Sequence, residues 1–244
     1  MIPRIIHYCW VSDANMPLSI KNCIKSWHRH LPDFTLRLWD GNSFDWTSVP
    51  FVHQALQAKK YAFVADYIRL YALYTEGGIY LDSDVEVLQS IQPLLDNSLF
   101  FGTEAYRIGD TTHYRIEPAI MGAESGHPFL KQLMAHYEQA SFKMDGNAVR
   151  SPVMPEVVTT MVERLGYCRS DVEQILDGSV HIYPTAIFSN ELVSNRQPST
   201  LAVHHNTGSW MDVSYRGPLY RLCHRMGWTS LYHSFEHITS PRHS

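Results

Sequence analysis

The stretch Ala58–Asp84 reads AKKYAFVADYIRLYALYTEGGIYLDSD. From Tyr61 to Thr75 it is apolar on nearly every side of a helical projection, and such a helix is buried rather than laid along a surface. Glu76-Gly77-Gly78 ends it, because glycine takes the left-handed conformation that terminates helices. Ile79-Tyr80-Leu81 restarts the chain as a short apolar strand and delivers it to Asp82-Ser83-Asp84. Val85-Glu86-Val87-Leu88 then continues extended. Between Ala62 and Tyr74 the only charged residues are Asp66 and Arg69. Charge in a buried helix is costly unless it is paired or put to use. Three residues apart, the two share a helical face, so a plain ion pair is one reading and a polar patch open to a ligand is the other. Asp82 and Asp84, two apart at a strand end, point to one side. Carboxylates so placed repel unless a cation lies near them. A hard divalent ion, Mg²⁺ or Mn²⁺, suits such oxygens and completes its shell with phosphate. The plain alternative is a solvated turn carrying two surface acids.

Working outward, Arg4 to Val11 is a short β-rich segment that runs into a loop at Ser12-Asp13-Ala14-Asn15. Ser19 reads as an N-cap for a helix whose face is Ile20, Cys23, Ile24, Trp27 and Leu31, stopped by Pro32. Phe34 to Trp39 is a second strand. Strand, helix, strand in that order predicts an α/β domain with parallel pairing, and an open α/β sheet binds ligands where its strands end. Phe51 to Lys60 reads as one more helix before Tyr61. Beyond Leu88 the pattern predicts short strands at 99–102 and 119–123, helices at 128–141 and 156–165, and late strands at 181–183 and 201–205. There is no internal repeat, low-complexity tract or linker, so the reading is one domain over 1–244. Its first half, 1–100, carries the strand-end acids, and 101–244 ends in a helical tail.

The 244 residues carry 20 basic and 24 acidic side chains, a net −4, which is not the basic excess of a nucleic-acid binder. Hydrophobic residues at 45% and charged residues at 18% exclude a disordered chain. No apolar run reaches the roughly 18–20 residues that span a bilayer, and the opening MIPRIIHYCW does not read as a signal peptide. Four scattered cysteines without a CxxC pair predict a reduced, cytoplasmic chain. Arg216, Arg221 and Arg225 among apolar tail residues leave two readings open, a solvated helix face and peripheral contact with an anionic membrane at its inner face.

Taken together, Ala58 to Asp84, the opening Ile2-Pro3-Arg4-Ile5-Ile6-His7-Tyr8-Cys9-Trp10, the segment Cys23-Ile24-Lys25-Ser26-Trp27 and the late Val203-His204-His205-Asn206-Thr207-Gly208-Ser209-Trp210 resemble the family 32 glycosyltransferases. These act on bacterial capsular polysaccharide and lipopolysaccharide and, in yeast, as mannosyltransferases. The resemblance is dense over the first 90 residues and scattered beyond. It implies a GT-A fold, a Rossmann-like nucleotide-diphospho-sugar sandwich with a mixed central sheet. It implies a nucleotide-sugar donor, UDP by family habit, with Mn²⁺ or Mg²⁺ on the diphosphate and retention of anomeric configuration. By motif position, Trp10 stacks on the nucleobase, and Tyr80 and Trp210 lie beside the nucleotide. Asp66 and Arg69 hold the donor sugar and its diphosphate side. Asp82 and Asp84 bind ribose and metal, and His205 adds a C-terminal metal ligand. Adjacent strand residues point oppositely, so only one of His204 and His205 reaches that ion. The implied activity moves a hexose to a hydroxyl of a glycan or lipid-linked glycan acceptor in surface polysaccharide synthesis. The resemblance also implies a donor-binding half at 1–100 and an acceptor-shaping half at 101–244, where the variable region from about Gly102 to Gly126 and the tail shape the acceptor side. A nucleotide-sugar hydrolase with water as acceptor and an inactive nucleotide-sugar-binding module are the alternatives.

Overall fold

A computed structural model describes residues 1–12, 14–146, 148–190 and 196–207. Trp210, the tail arginines and the helical reading of the tail lie outside the described residues. In chain order the elements are β1 (Ile5–Cys9), α1 (Leu18–His30), β2 (Thr35–Trp39), α2 (Pro50–Gln57), α3 (Tyr61–Glu76), β3 (Gly78–Leu81), β4 (Val85–Val87), a 3₁₀ turn (Gln92–Asp96), β5 (Leu99–Ile108), β6 (Thr111–Ala123), α4 (Pro128–Gln139), β7 (Met144–Asp145), β8 (Ala148–Val149), α5 (Met154–Glu163), β9 (Gln174–Leu176), β10 (Val180–Tyr183), β11 (Phe188–Asn190) and β12 (Ala202–His204).

The central sheet has the order β2-β1-β3-β6-β5-β10-β9. Pairing is parallel through β2, β1 and β3, antiparallel at β3/β6 and β6/β5, parallel at β5/β10 and antiparallel at β10/β9. It is the mixed sheet that the resemblance implies. Side chains that alternate along its strands feed two cores. Tyr80, Phe101, Met121 and Ile182 pack with α2 to α5, while Ile79, Leu81, Phe100 and Ile120 pack with α1, β4 and β12. A smaller sheet, β11-β12-β4, lies with the second core.

Several local expectations are corrected. Helix α1 begins at Leu18 behind Pro17, which makes no side-chain cap, and Ser19 is buried inside the first turn. The α2/α3 boundary falls at Lys59, whose φ of 56° breaks the helical path. The two short strands expected near 99–102 and 119–123 are the buried ends of one long hairpin, β5–β6. Asp82 and Asp84 do not share a strand. They flank a tight turn closed by Val85 N–H to Asp82 O at 2.9 Å, where the chain leaves the central sheet for the small one.

The helix stop at Gly77-Gly78 is fixed by sterics. Both residues have positive φ, 66° and 111°. A Cβ on Gly78 would lie 2.7 Å from Ile5 O, and one on Gly77 would lie 2.9 Å from Ser125 N. Buried His7 locks this corner: Trp39 Nε1 donates to its Nδ1 at 3.1 Å, and its Nε2 donates to Gly77 O at 2.7 Å. We expect Gly78→Ala to destabilise the fold by about 3 kcal/mol in urea unfolding, since strain and backbone overlap coincide there. An unchanged unfolding midpoint would contradict this account.

Candidate active site

Helix α3 carries Asp66 and Arg69 into the molecule, 8% and 4% exposed. One Arg69 terminal nitrogen, Nη2, stands 3.2 Å from Asp66 Oδ1 and 3.2 Å from Asp82 Oδ1. The other, Nη1, donates to Pro118 O at 2.7 Å, and the guanidinium lies 4.8 Å from the Tyr80 ring centre. Tyr80 Oη donates to Asp82 Oδ1 at 3.1 Å. Burial pushes the Asp66 carboxyl up to about 7, against the downward pull of Arg69. Burial likewise raises Asp82, while Arg69 and His204 oppose it.

Asp84 is held by the end of β12 and the residues after it. Its Oδ2 accepts from Thr207 N at 2.9 Å and from Thr207 Oγ1 at 2.8 Å, and its Oδ1 lies 3.3 Å from His204 Nε2. Burial alone would raise its carboxyl, but the His204 charge and these hydrogen bonds hold it far below the usual range. The other ring nitrogen of His204, Nδ1, lies 3.2 Å from Glu117 Oε2. Burial would lower the His204 imidazolium, yet the two flanking carboxylates raise it well above its ordinary value. Glu117 also accepts from Ala119 N at 3.1 Å and is hydrogen-bonded to Glu104, which pairs with Arg115. Burial and the neighbouring Glu117 charge raise Glu104, while His204 holds Glu117 low.

Trp10, Asp66, Arg69, Tyr80, Asp82 and Asp84 all line one cavity of about 660 Å³. Trp10 stands at its wall with Nε1 donating to Ala14 O at 3.0 Å. His205 does not join them. Its Nε2 lies 3.3 Å from Glu86 Oε2 and its ring meets the Cys23 thiol, whereas His204 lines the cavity beside Asp84. The alternation of side chains along β12 thus sends His204 to the side where His205 was expected. Glu104, Arg115 and Glu117 also line the cavity and were not anticipated. Their only trace in the sequence is a pair of acids within a β-rich, aromatic stretch.

Among the described residues no three His, Cys, Asp or Glu side chains are gathered as a ready cage for an ion. Asp82 nevertheless keeps its second oxygen clear of hydrogen bonds from the described residues, and both aspartates face the cavity. Hard carboxylate oxygens at the wall of an open cavity fit a divalent ion shared with phosphate rather than one enclosed by protein alone.

Residues 17–101 match the family described as glycosyltransferase sugar-binding region containing DXD motif. Over those residues the chain is similar to the family 32-like, DXD-containing glycosyltransferases. It is 31% identical over 145 residues to inositol phosphoceramide mannosyltransferase 3 of Schizosaccharomyces pombe, covering 58% of this chain and 38% of the relative. Inositol phosphoceramide mannosyltransferase 1 of the same yeast is 28% identical over 142 residues, with 54% and 41% covered. The chain therefore spans about two fifths of the length of these curated relatives. The apo-form glycosyltransferase GlyE of Streptococcus pneumoniae TIGR4 aligns with a TM-score of 0.51 at 11% identity, over 97% of this chain and 63% of that one. That likeness agrees with the mixed sheet in giving the GT-A fold. Within the matched region the Asp-x-Asp sequence is Asp82-Ser83-Asp84, with Arg69 beside the first aspartate and His204 beside the second.

His204 lies between two buried carboxylates, so removing it leaves both with their hydrogen bonds but without that counter-charge. We expect His204→Gln to cost about 3 kcal/mol at pH 6. A raised His pKa contributes stability that is complete below the unfolded value and is lost as pH rises through the folded one. Lowered Asp84 and Glu117 contribute stability that is lost as pH falls through their depressed values. The deficit of the variant in denaturant melts should therefore shrink as the pH is taken below the ordinary carboxylate range. A deficit independent of pH would refute the ionic account.

Proposed function

We propose that the chain transfers a hexose from a nucleoside-diphosphate sugar to a hydroxyl of a glycan or lipid-linked glycan acceptor, with Mn²⁺ or Mg²⁺ on the diphosphate. The observation that carries this reading is the convergence of Asp66, Arg69, Asp82 and Asp84 on one cavity with an indole at its wall. A volume of about 660 Å³ suits a nucleotide-sized ligand. Trp10 offers a flat apolar face for the base, and the resemblance supports uridine. The relatives are named mannosyltransferases, which supports a hexose and makes guanosine the base to test against uridine. Asp66 accepts hydrogen bonds from donor-sugar hydroxyls. Arg69 holds Asp66 and Asp82 in register and braces the wall through Pro118 O. Asp82 and Asp84 are the residues that would hold the cation. When bound, it neutralises the charge that develops on the departing nucleoside diphosphate.

Retention of configuration, as the resemblance implies, is part of the proposal. So are a cytoplasmic working place with peripheral membrane contact, a role in surface polysaccharide assembly, and one domain over 1–244 with its donor side in 1–100. Among the described residues, no helix is long and apolar enough to cross a membrane.

The test is a screen of UDP- and GDP-sugars with Mn²⁺, read as nucleoside diphosphate released with and without sugar acceptors. Asp84→Ala and Asp82→Ala should each lower turnover by at least about 10²-fold, and a chelator should do the same to the parent chain. Equal turnover in the parent and both variants would sink the cation role. Full release without any acceptor would make the chain a hydrolase, and donor binding without release would make it a binding module.

A further inference from the structure

The β5–β6 hairpin is longer than the central sheet requires. The β3 pairing to β6 ends at Leu81↔Ile120, and the β10 pairing to β5 ends at Tyr183↔Gly102. Past the irregularity at Phe101/Gly102, β5 and β6 pair, among the described residues, with each other alone, from Gly102↔Glu117 out to Ile108↔Thr111. Directly opposed residues share a face, and the face repeats every second residue. One face of this ribbon therefore carries Glu117, then Glu104 with Arg115, then Tyr106 with His113. The inner three line the site cavity. The outer two are half-buried and stacked, with centroids 5.6 Å apart and planes 30° from parallel, and the Arg115 guanidinium lies 4.7 Å from the Tyr106 ring centre. A single surface thus runs from the cavity onto the ribbon without changing sides, and its chemistry changes from carboxyl and guanidinium to stacked rings. This combination matches a pyranose, which has an apolar C–H face to lay on rings and hydroxyls to hydrogen-bond to Arg and Glu.

We propose that this face of the β5–β6 ribbon is the acceptor subsite. It takes the pyranose ring of a sugar acceptor on Tyr106 and His113, with a hydroxyl directed past Arg115 into the cavity. The proposal rests on reading that cavity as the donor site, and it adds the residues that receive the second substrate.

The experiment is saturation-transfer NMR on the full chain with methyl α-D-mannopyranoside, methyl β-D-galactopyranoside and methyl β-D-glucopyranoside, each titrated to a binding constant. At least one glycoside should bind the parent chain. Tyr106→Ala and His113→Ala should each weaken that binding about fivefold, and Tyr106→Phe should restore it. Arg107→Ala, on the opposite face of the ribbon, should leave it unchanged. Absence of binding by all three glycosides, or equal binding in both alanine variants, overturns the subsite. Calorimetry of UDP and GDP with Mn²⁺ on the same samples separates the two readings. Glycoside binding that depends on Tyr106 without any nucleotide binding would remove the donor site and leave a sugar-binding ribbon. Nucleotide binding with glycoside binding indifferent to Tyr106 would remove the subsite alone.

Discussion

A guanidinium inside a protein must be surrounded, and Arg69 is. Removing such an ion from water costs several kcal/mol unless its donors are met. Asp66 and Asp82 flank one nitrogen, Pro118 O accepts from another, and the Tyr80 ring lies against the plane. Those partners come from α3, from the end of β3 and from β6. Meeting the charge therefore fixes how deep α3 sits, where β3 stops and which residue of β6 arrives beside it. The antiparallel pairing of β6 with β3, continued by Asp82 N–H to Ala119 O, brings Pro118 to that spot. The same geometry that makes the cation tolerable also gathers the aspartates.

A second cation serves the second aspartate. The turn between Asp82 and Asp84 is where the chain passes from the central sheet to the small one, so the two acids belong to different layers. Asp82 answers to Arg69 on the helical side. Asp84 answers to His204, which β12 supplies through its antiparallel pairing with β4. Glu117 closes the circuit by holding the far side of the same imidazole. Because each acid has its own counter-ion, the two carboxylates share one turn without the repulsion their spacing invites.

What could be read from the sequence follows from which interactions are local. Helix α3 and its glycine stop were legible because all-round burial and positive φ leave marks within a few residues, whereas the turn between the two aspartates was read as a strand end. The outer hairpin was not. From Thr103 to Glu117 the ribbon leaves the sheet, so the apolar alternation that marks a buried strand disappears and polar residues stand on both faces. Its pairing is a contact between segments, which no short window records. The histidine pair failed for a related reason. Which of two neighbours faces the site depends on register, and a shift of one residue exchanges the faces. The start of α1 went to Pro17 rather than to a Ser19 cap, since proline presets the entry backbone and leaves Ser19 to pack.

The charge arrangement of the cavity bears on why a divalent ion belongs in the reading. Among the described residues five carboxyl groups line it: Asp66, Asp82, Asp84, Glu104 and Glu117. Among the described residues three of its cations are already engaged, Arg69 by Asp66 and Asp82, His204 by Asp84 and Glu117, and Arg115 by Glu104 and Glu156. Burial keeps Asp66 and Glu104 leaning toward their neutral forms, which trims the negative excess without reversing it. Exposed Lys59 at the rim is a weak offset, because solvent screens it. A diphosphate entering such a space meets acids whose counter-ions are spoken for. It gains little from Arg69 unless Asp66 or Asp82 releases it, and release would strand a buried carboxylate. On the proposed reading, a cation arriving with the ligand would remove the conflict. Asp82 and Asp84 would hold it, its charge would offset that of the phosphates, and the buried pairs would stay in place.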